Sequence, residues 1–463
     1  MSQPSRFVLI ANRLPVRWDE ELSEWNVSPG GLVSALTPIL QEREGVWVGW
    51  TGIPDFSPEP FEHAEIRLHP VRIHQPEVEL YYYGFCNGTL WPLYHNAVRT
   101  PAFHRRWWWP YVEVNRRFAQ AAAGRLAPDG VAWIQDYQMQ LIPQMLRELR
   151  PRARIGFFLH IPFPAVELFA YLPWRLGVLE GLLGADVVAF QTRQSLENFS
   201  DAALRFAGAT RSGDALLHKG REIRLQAAPI AIDTGRYEQL AADSDIVAAA
   251  GRIRREIGEG RKLVLGVDRL DYTKGIGRRL RAFRTFLQRA REEGLLSTGR
   301  EPVMIQLSVP SREQLTQYMR MREEVEGLVG RINGDFGRPD WTPITYMYRE
   351  LDARELVAYY RAADVMLVTP LADGMNLVAK EYVATRLDDT GALVLSEFAG
   401  AAAELDAALL VNPMDLDGLA NRLREAISLS PAEQRNRMTE LRRVVRENDV
   451  FEWSRRCLEA LEA

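Results

Sequence analysis

Two stretches carry residues whose types and spacing could do chemistry on a charged ligand. In LVTPLADGMNLVAKEYVATR, residues 367–386, Asp373 and Gly374 stand between an apolar strand and a helix, and Glu381 follows Leu377 by one helical turn. A helix that begins straight after a strand offers free backbone N–H groups and the positive end of its dipole, which suits phosphate oxygens. The plainer alternative makes Asp373 an N-cap and Glu381 a solvated helical carboxylate. In VDRLDYTKG, Arg269 and Lys274 lie where a strand leads into a helix. Arg supplies a fork of donors and Lys a point charge, the pair a diphosphate needs. Here the plainer alternative is two surface cations bridging to Asp268 and Asp271. In a doubly wound sheet both turns could reach one edge and grip a diphosphate between them.

The elements that must position these residues alternate regularly. FVLIA at 7–11 reads as a buried strand, followed by a polar loop, a Gly30–Gly31 turn feeding a helix, and the strand VWVGW. VAWIQ leads to Asp136 and a helix; RIGFFLHIPFP ends its strand at His160; ADVVAFQT adds another. A boundary is expected near 228–237, where Pro and Gly interrupt the pattern. KLVLGVDR, VMIQLSV, ITYMY, ADVMLVTP and ALVLSEF then repeat the alternation. Two consecutive α/β halves with open parallel sheets follow, their ligands along the C-terminal strand edge. The aromatics of residues 81–117 read as an irregular stretch, suited to core packing or to a sugar-stacking wall. Asp243–Asp245 and Asp415–Asp417 form Asp-x-Asp pairs, but both precede helical segments, where Asp caps are expected, so no metal is assigned. There is no G-x-G-x-x-G, P-loop, HExxH or GxSxG pattern.

Composition narrows the class. At 463 residues the chain is long enough for two or three cores, and 47% hydrophobic with 25% charged residues is ordinary for a globular protein. A net charge of −4 gives no general electrostatic reason to bind nucleic acid or anionic membrane. Two cysteines, Cys86 and Cys457, make no disulfide framework, so a reducing cytoplasmic setting is the expectation. The N-terminus lacks a signal-peptide core, and every long apolar stretch is interrupted by Pro, His, Glu or Arg, so no membrane span is expected.

NRLP with PGGL, YYYGFCNGTLWP, QDYQ, FFLHIPFP, GVDRLDYTKG, GRINGDFG with WTPI, and TPLADGMNLVAKEYVA occur in one order from about residue 6 to about 455, and in this the chain resembles the trehalose-6-phosphate synthases. The resemblance implies a retaining glucosyltransferase of GT-B type: two Rossmann-like, doubly wound domains facing across a cleft, residues 1–233 for the acceptor and 234–446 for the nucleotide sugar. A last helix, about 447–463, would cross back to the first domain. The implied substrates are a nucleoside-diphosphate glucose and glucose 6-phosphate, with no cofactor or metal; the donor base and the oligomeric state, including a homo-oligomer, stay open. Carried over by motif, Arg269 and Lys274 meet the donor diphosphate, Glu381 the ribose, and Asp373 with Gly374, Met375, Asn376 and Leu377 the donor glucose and diphosphate. His160 meets the donor sugar near the reacting centre and Gly31 closes on the phosphates. Arg13, Tyr82, Trp91 and Arg312 correspond to the glucose 6-phosphate site, and Asp136 to a carboxylate beside the acceptor sugar. Gln135 and Gln138 stand where many members have His, and the loop Leu14 to Ser28 is longer than in some, suggesting a lid. A silent sugar-nucleotide binder would have lost Arg269, Lys274, Asp373 or Glu381, and all four are present; another acceptor, such as glycerol phosphate or a cyclitol, is the remaining alternative.

Overall fold

Runs such as Phe7–Ile10 and Val365–Val368 are buried along their whole length, the pattern of parallel strands covered by helices on both faces. The computed structural model describes residues 4–19, 24–27, 31–258 and 260–463. The chain falls into two compact units, Met1–Ile230 with Val450–Ala463, and Ala231–Asp449.

In the first unit the strands are β1 (Ser5–Arg13), β2 (Val16–Asp19), β3 (Glu24–Val27), β4 (Val46–Trp50), β5 (Phe61–His63), β6 (Ile66–Pro70), β7 (Leu126–Gln135), β8 (Arg154–Leu159), β9 (Val187–Phe190), β10 (Thr210–Ser212), β11 (Ala215–His218) and β12 (Arg221–Ala227). All but β2 and β3 form one sheet in the order β10-β11-β12-β9-β8-β7-β1-β4-β6-β5. It is parallel from β12 to β6, with antiparallel strands added at each edge. From β1 the chain builds outward to β4 and β6 on one side and later to β7, β8 and β9 on the other. The ends of β1 and β7 therefore flank the switch point, where a crevice opens in such sheets. The helix Val450–Glu462 packs on this unit through Val450, Trp453, Cys457, Leu458 and Leu461, an apolar face at helical spacing. Trp453 lies 5.4 Å from the Trp133 ring and 5.2 Å from Phe158, and its Nε1 donates to the Ala228 carbonyl (3.1 Å).

The second unit holds β13 (Leu263–Arg269), β14 (Val303–Val309), β15 (Ile344–Tyr348), β16 (Val365–Val368), β17 (Ala392–Ser396) and β18 (Leu409–Val411) in the order β15-β14-β13-β16-β17-β18, all parallel. This is the order of a Rossmann sheet, with its switch point between β13 and β16.

Two expectations need correction. The aromatic stretch is helical rather than irregular: a π-wound helix Val78–Leu90 runs into Trp91–Tyr94, and Arg105–Arg125 follows. Packing decides this, because Phe85 sits 4.5 Å from Tyr111 and 5.3 Å from Trp108, so the rings line the contact between the two longer helices. The supposed loop after Leu14 contains the antiparallel pair β2–β3, closed by an edge-on Trp18–Trp25 contact at 5.3 Å, with Trp25 stacked on Phe61 at 5.2 Å. Residues 20–23 and 28–30 of that stretch, Gly30 among them, lie outside the described residues.

Candidate active site

In the second unit, the turns after β13 and β16 meet at the switch point. Leu371 N donates to Thr273 O (2.7 Å), and Gly275, at φ +68°, lies so close to β16 that a Cβ would stand 2.3 Å from Thr369 O. Across this junction Lys274 Nζ reaches Asp373 Oδ2 at 2.5 Å, both side chains nearly buried. Asp373 is not a helix cap: Asn376, in the left-handed region at φ +77°, precedes the helix Leu377–Thr385 and makes no side-chain cap bond. Asn376 Nδ2 instead donates to Asp373 Oδ2 (3.0 Å). The first N–H groups of this helix thus have no side-chain cap, beside a fixed cation. A second turn braces the first, because Gly400 N donates to Asp373 O (3.1 Å) and Ala401 N to Met375 O (2.9 Å). The carbonyl of Gly374 lies so near Gly400 that a Cβ there would stand 1.9 Å away.

Glu381 is not solvated either. Tyr360 donates its hydroxyl to Oε2 (2.8 Å), and burial pushes the Glu381 carboxyl pKa up against the hydrogen bonds from Tyr360 and Tyr237. Asp268 and Asp271 take their close hydrogen-bonded partners from elsewhere in the unit. Asp268 pairs with Arg279, and Asp271 Oδ2 holds Arg312 Nη1 at 2.8 Å and the Tyr318 hydroxyl at 2.9 Å. Burial alone would raise the Asp271 pKa, but Arg312 and Arg269 outweigh it and hold the carboxyl well below its usual range. Arg312 is consequently turned inward, nearly buried, at φ +49°. Arg269 remains exposed at the end of β13.

Sequence reasoning missed Arg279. Its guanidinium is fully buried and donates to Thr369 Oγ1 (2.9 Å) and Gln306 Oε1 (3.0 Å) as well as to Asp268, tying β13, β14 and β16 together below the Lys274 turn. The signal was present in two oddities of apolar strands. Gly266 interrupts LVLGVDR because a Cβ would stand 2.6 Å from Arg279 Nη1, and Gln306 interrupts VMIQLSV to accept from it.

In the first unit, Arg13 ends β1 with its Cζ 4.9 Å from the Trp50 ring centroid and its guanidinium over Gly52, where a Cβ would stand 2.0 Å from it. Tyr82 meets Trp50 edge-on at 6.3 Å, so Arg13, Trp50 and Tyr82 form one cluster at the switch point. Trp91 is buried against Tyr137 (5.6 Å) and His95 (4.1 Å). Asp136 follows β7 with φ +74° and ψ 170°, a region almost reserved for glycine. It is held there by its own N–H on Phe158 O (2.8 Å), by its carbonyl accepting from Met139 N (3.0 Å) and by Oδ1 accepting from His160 N (3.2 Å). His160, just past β8, has Nε2 2.9 Å from Gln135 Oε1 and Nδ1 3.2 Å from Gln191 Nε2; burial pushes its pKa down to about 3. Gly31 opens the helix Gly31–Glu42.

The Asp-x-Asp pairs behave as caps. Asp243 accepts from Asp245 N and Ile246 N, and Asp415 from Gly418 N. Among the described residues no group of three or more His, Cys, Asp or Glu could hold a metal, and no helix is long and apolar enough to cross a membrane.

Parallel sheets of this order, with cations and an uncapped helix start at the switch point, define a class of α/β proteins that hold nucleotides there. The model of glycosyltransferase family 20 matches residues 5–463, and the chain belongs to that family. Trehalose-6-phosphate synthase of Mycolicibacterium smegmatis is 49% identical over 475 residues, covering 100% of this chain and 93% of the relative. A structure from E. coli bound with UDP-2-fluoro glucose has a TM-score of 0.90 at 33% identity, covering 98% of each chain. A UDP-forming alpha,alpha-trehalose-phosphate synthase from Burkholderia xenovorans in complex with glucose-6-phosphate has a TM-score of 0.90 at 35% identity, covering 99% of this chain and 100% of the other. The chain is thus a glycosyltransferase with the two Rossmann-like units of the GT-B class.

Proposed function

We propose that the protein transfers glucose, with retention, from a nucleoside-diphosphate glucose to glucose 6-phosphate, giving α,α-trehalose 6-phosphate. The observation that carries this reading is the Lys274–Asp373 pair at the uncapped helix start, a prepared seat for a sugar diphosphate. The UDP-2-fluoro glucose of the E. coli structure and the UDP-forming name of the Burkholderia enzyme favour UDP-glucose as donor; the glucose-6-phosphate of the latter favours that acceptor.

In this reading the second unit supplies most of the donor contacts and the first most of the acceptor contacts. Arg269 and Lys274 neutralise the diphosphate, the backbone of Gly374, Met375, Asn376 and Leu377 cradles it, Asp373 orients the glucose, and Glu381 accepts from ribose hydroxyls. Gly31 closes on the phosphates and His160 meets the donor sugar. Arg13, Tyr82, Trp91 and Arg312 take glucose 6-phosphate, with Asp136 on a sugar hydroxyl. For Arg312 this requires release from Asp271. The bond from the anomeric carbon to the diphosphate oxygen breaks as the acceptor hydroxyl oxygen bonds the same face, and the hydroxyl proton passes to the departing phosphate oxygen. A covalent intermediate on Asp373 fits less well, because its carboxylate is committed to Lys274 and Asn376.

Nucleoside diphosphate release from UDP-, ADP- and GDP-glucose, with and without glucose 6-phosphate and with a chelator present, tests the proposal. We expect release that requires glucose 6-phosphate, is fastest with UDP-glucose and is indifferent to chelation. Donor binding without turnover on any of the three would leave a silent binder as the better account.

A further inference from the structure

We infer that Gln191 is a positioning residue that fixes which nitrogen of His160 carries the proton, acting through a one-directional relay anchored on the backbone of Ile230. The inference deepens the transferase reading and rests on the place that reading gives His160.

The relay crosses the ends of three neighbouring strands. Gln191 follows β9, His160 follows β8 and Gln135 ends β7; the two glutamines are almost wholly buried, at 2% and 0% exposure. Its direction follows from one group that has no choice. The N–H of Ile230 donates, at 2.8 Å, to Gln191 Oε1, so that end of the amide must be the oxygen. The other end is then NH₂, which only donates, and it lies 3.2 Å from His160 Nδ1. Nδ1 must therefore accept, and the single ring proton sits on Nε2. There it donates to the atom 2.9 Å away, which must be Gln135 Oε1. The chain ends in the Gln135 NH₂ group, a buried donor with no partner among the described residues. Three side chains are thus oriented by a single main-chain donor, and Ile230 is the last residue before the chain enters the second unit.

The relay has a chemical consequence. In glycosyl transfer positive charge develops at the anomeric carbon, and an imidazolium beside it would oppose that charge. A ring whose Nδ1 is already accepting from a neutral amide, and whose faces pack on Phe158 at 4.6 Å and Trp453 at 6.4 Å, gains no second proton cheaply. The carboxylate beside it is Asp136, which takes the His160 backbone N–H rather than a ring nitrogen. Burial pushes the His160 pKa down in the same direction. His160 is accordingly a neutral Nε2–H donor across the physiological range.

The direct test is a ring ¹⁵N spectrum of the histidine-labelled full-length protein, with His160 assigned by its loss in His160→Asn. The expected spectrum has an unprotonated Nδ1 and a protonated Nε2 for His160, unchanged from about pH 5 to 8. A protonated Nδ1, or a signal averaged between the two tautomers, overturns the inference. The functional arm is Gln191→Glu, in which one oxygen still accepts from Ile230 while the other can only accept at Nδ1, so the ring takes up a second proton. We expect kcat to fall about tenfold on the acid side, where the ring is an imidazolium, and to stay depressed above the new pKa, where the carboxylate holds the single proton on Nδ1 and Nε2 no longer donates, with KM for the donor unchanged. Wild-type kcat in this variant, or full recovery above the new pKa, would overturn the positioning role. A His160→Ala enzyme that turns over at the wild-type rate would overturn the placement of His160 in the site, a failure the spectrum separates from that of the relay.

Discussion

Asp136 holds a backbone conformation that favours glycine, and that strain is confined to the turn where β7 delivers its carboxylate. Replacing it with glycine would relieve about 1–3 kcal/mol of strain, but would cost about 0.5–1 kcal/mol in chain entropy and about 1 kcal/mol for the lost acceptor of the His160 N–H, leaving stability nearly unchanged. We predict that Asp136→Gly leaves the denaturant midpoint nearly unchanged while turnover falls about 10- to 100-fold, the worth of one charge-assisted hydrogen bond. An Asp136→Gly protein that is both less stable and fully active would show that the strain serves folding alone. At this scale the sequence was partly legible. Lys274 and Asp373 could be nominated from residue type beside a turn, because a cation and a carboxylate at a strand end are exposed to view in a linear pattern. Their mutual pairing, the Tyr237–Tyr360 enclosure of Glu381 and the capture of Arg312 by Asp271 could not, because each joins residues distant in the chain.

Among the elements, the turn at Gly374 depends on a second turn that carries no charged residue. Phe398–Ala401 supports it through backbone hydrogen bonds and a contact that leaves no room for a Cβ at Gly400. Gly400→Ala should therefore push the Asp373–Asn376 backbone out of place, costing about 1–3 kcal/mol of stability and weakening nucleoside diphosphate binding about tenfold by calorimetry. Gly334→Ala, within the helix Thr316–Phe336 and with nothing near its Cβ, is the control expected to bind normally. Equal affinities in the two variants would contradict the bracing role. The parallel strands were readable because short apolar runs bounded by polar turns leave few alternatives. The helical state of Val78–Leu90 was not: its apolar positions follow neither a strand nor an ordinary helical period, and packing against Arg105–Arg125 decides it.

Over the whole molecule, two sheets each present their chemistry-bearing residues at a switch point, Arg13 and Asp136 in one, Arg269, Lys274 and Asp373 in the other. Alternation along the chain announced two α/β halves, whereas the antiparallel edges β5 and β10–β11 went unread because three- and four-residue strands leave almost no periodic trace. The proposed donor seat in one unit and acceptor seat in the other make a two-substrate transfer the central claim, and the stereochemistry of its product tests that claim most directly. Incubation with UDP-glucose and glucose 6-phosphate, followed by NMR of the purified sugar phosphate, should give a disaccharide phosphate whose two linked anomeric carbons are both α. A β linkage at the transferred glucose would contradict retention, and recovery of free glucose with unchanged glucose 6-phosphate would contradict the transfer itself.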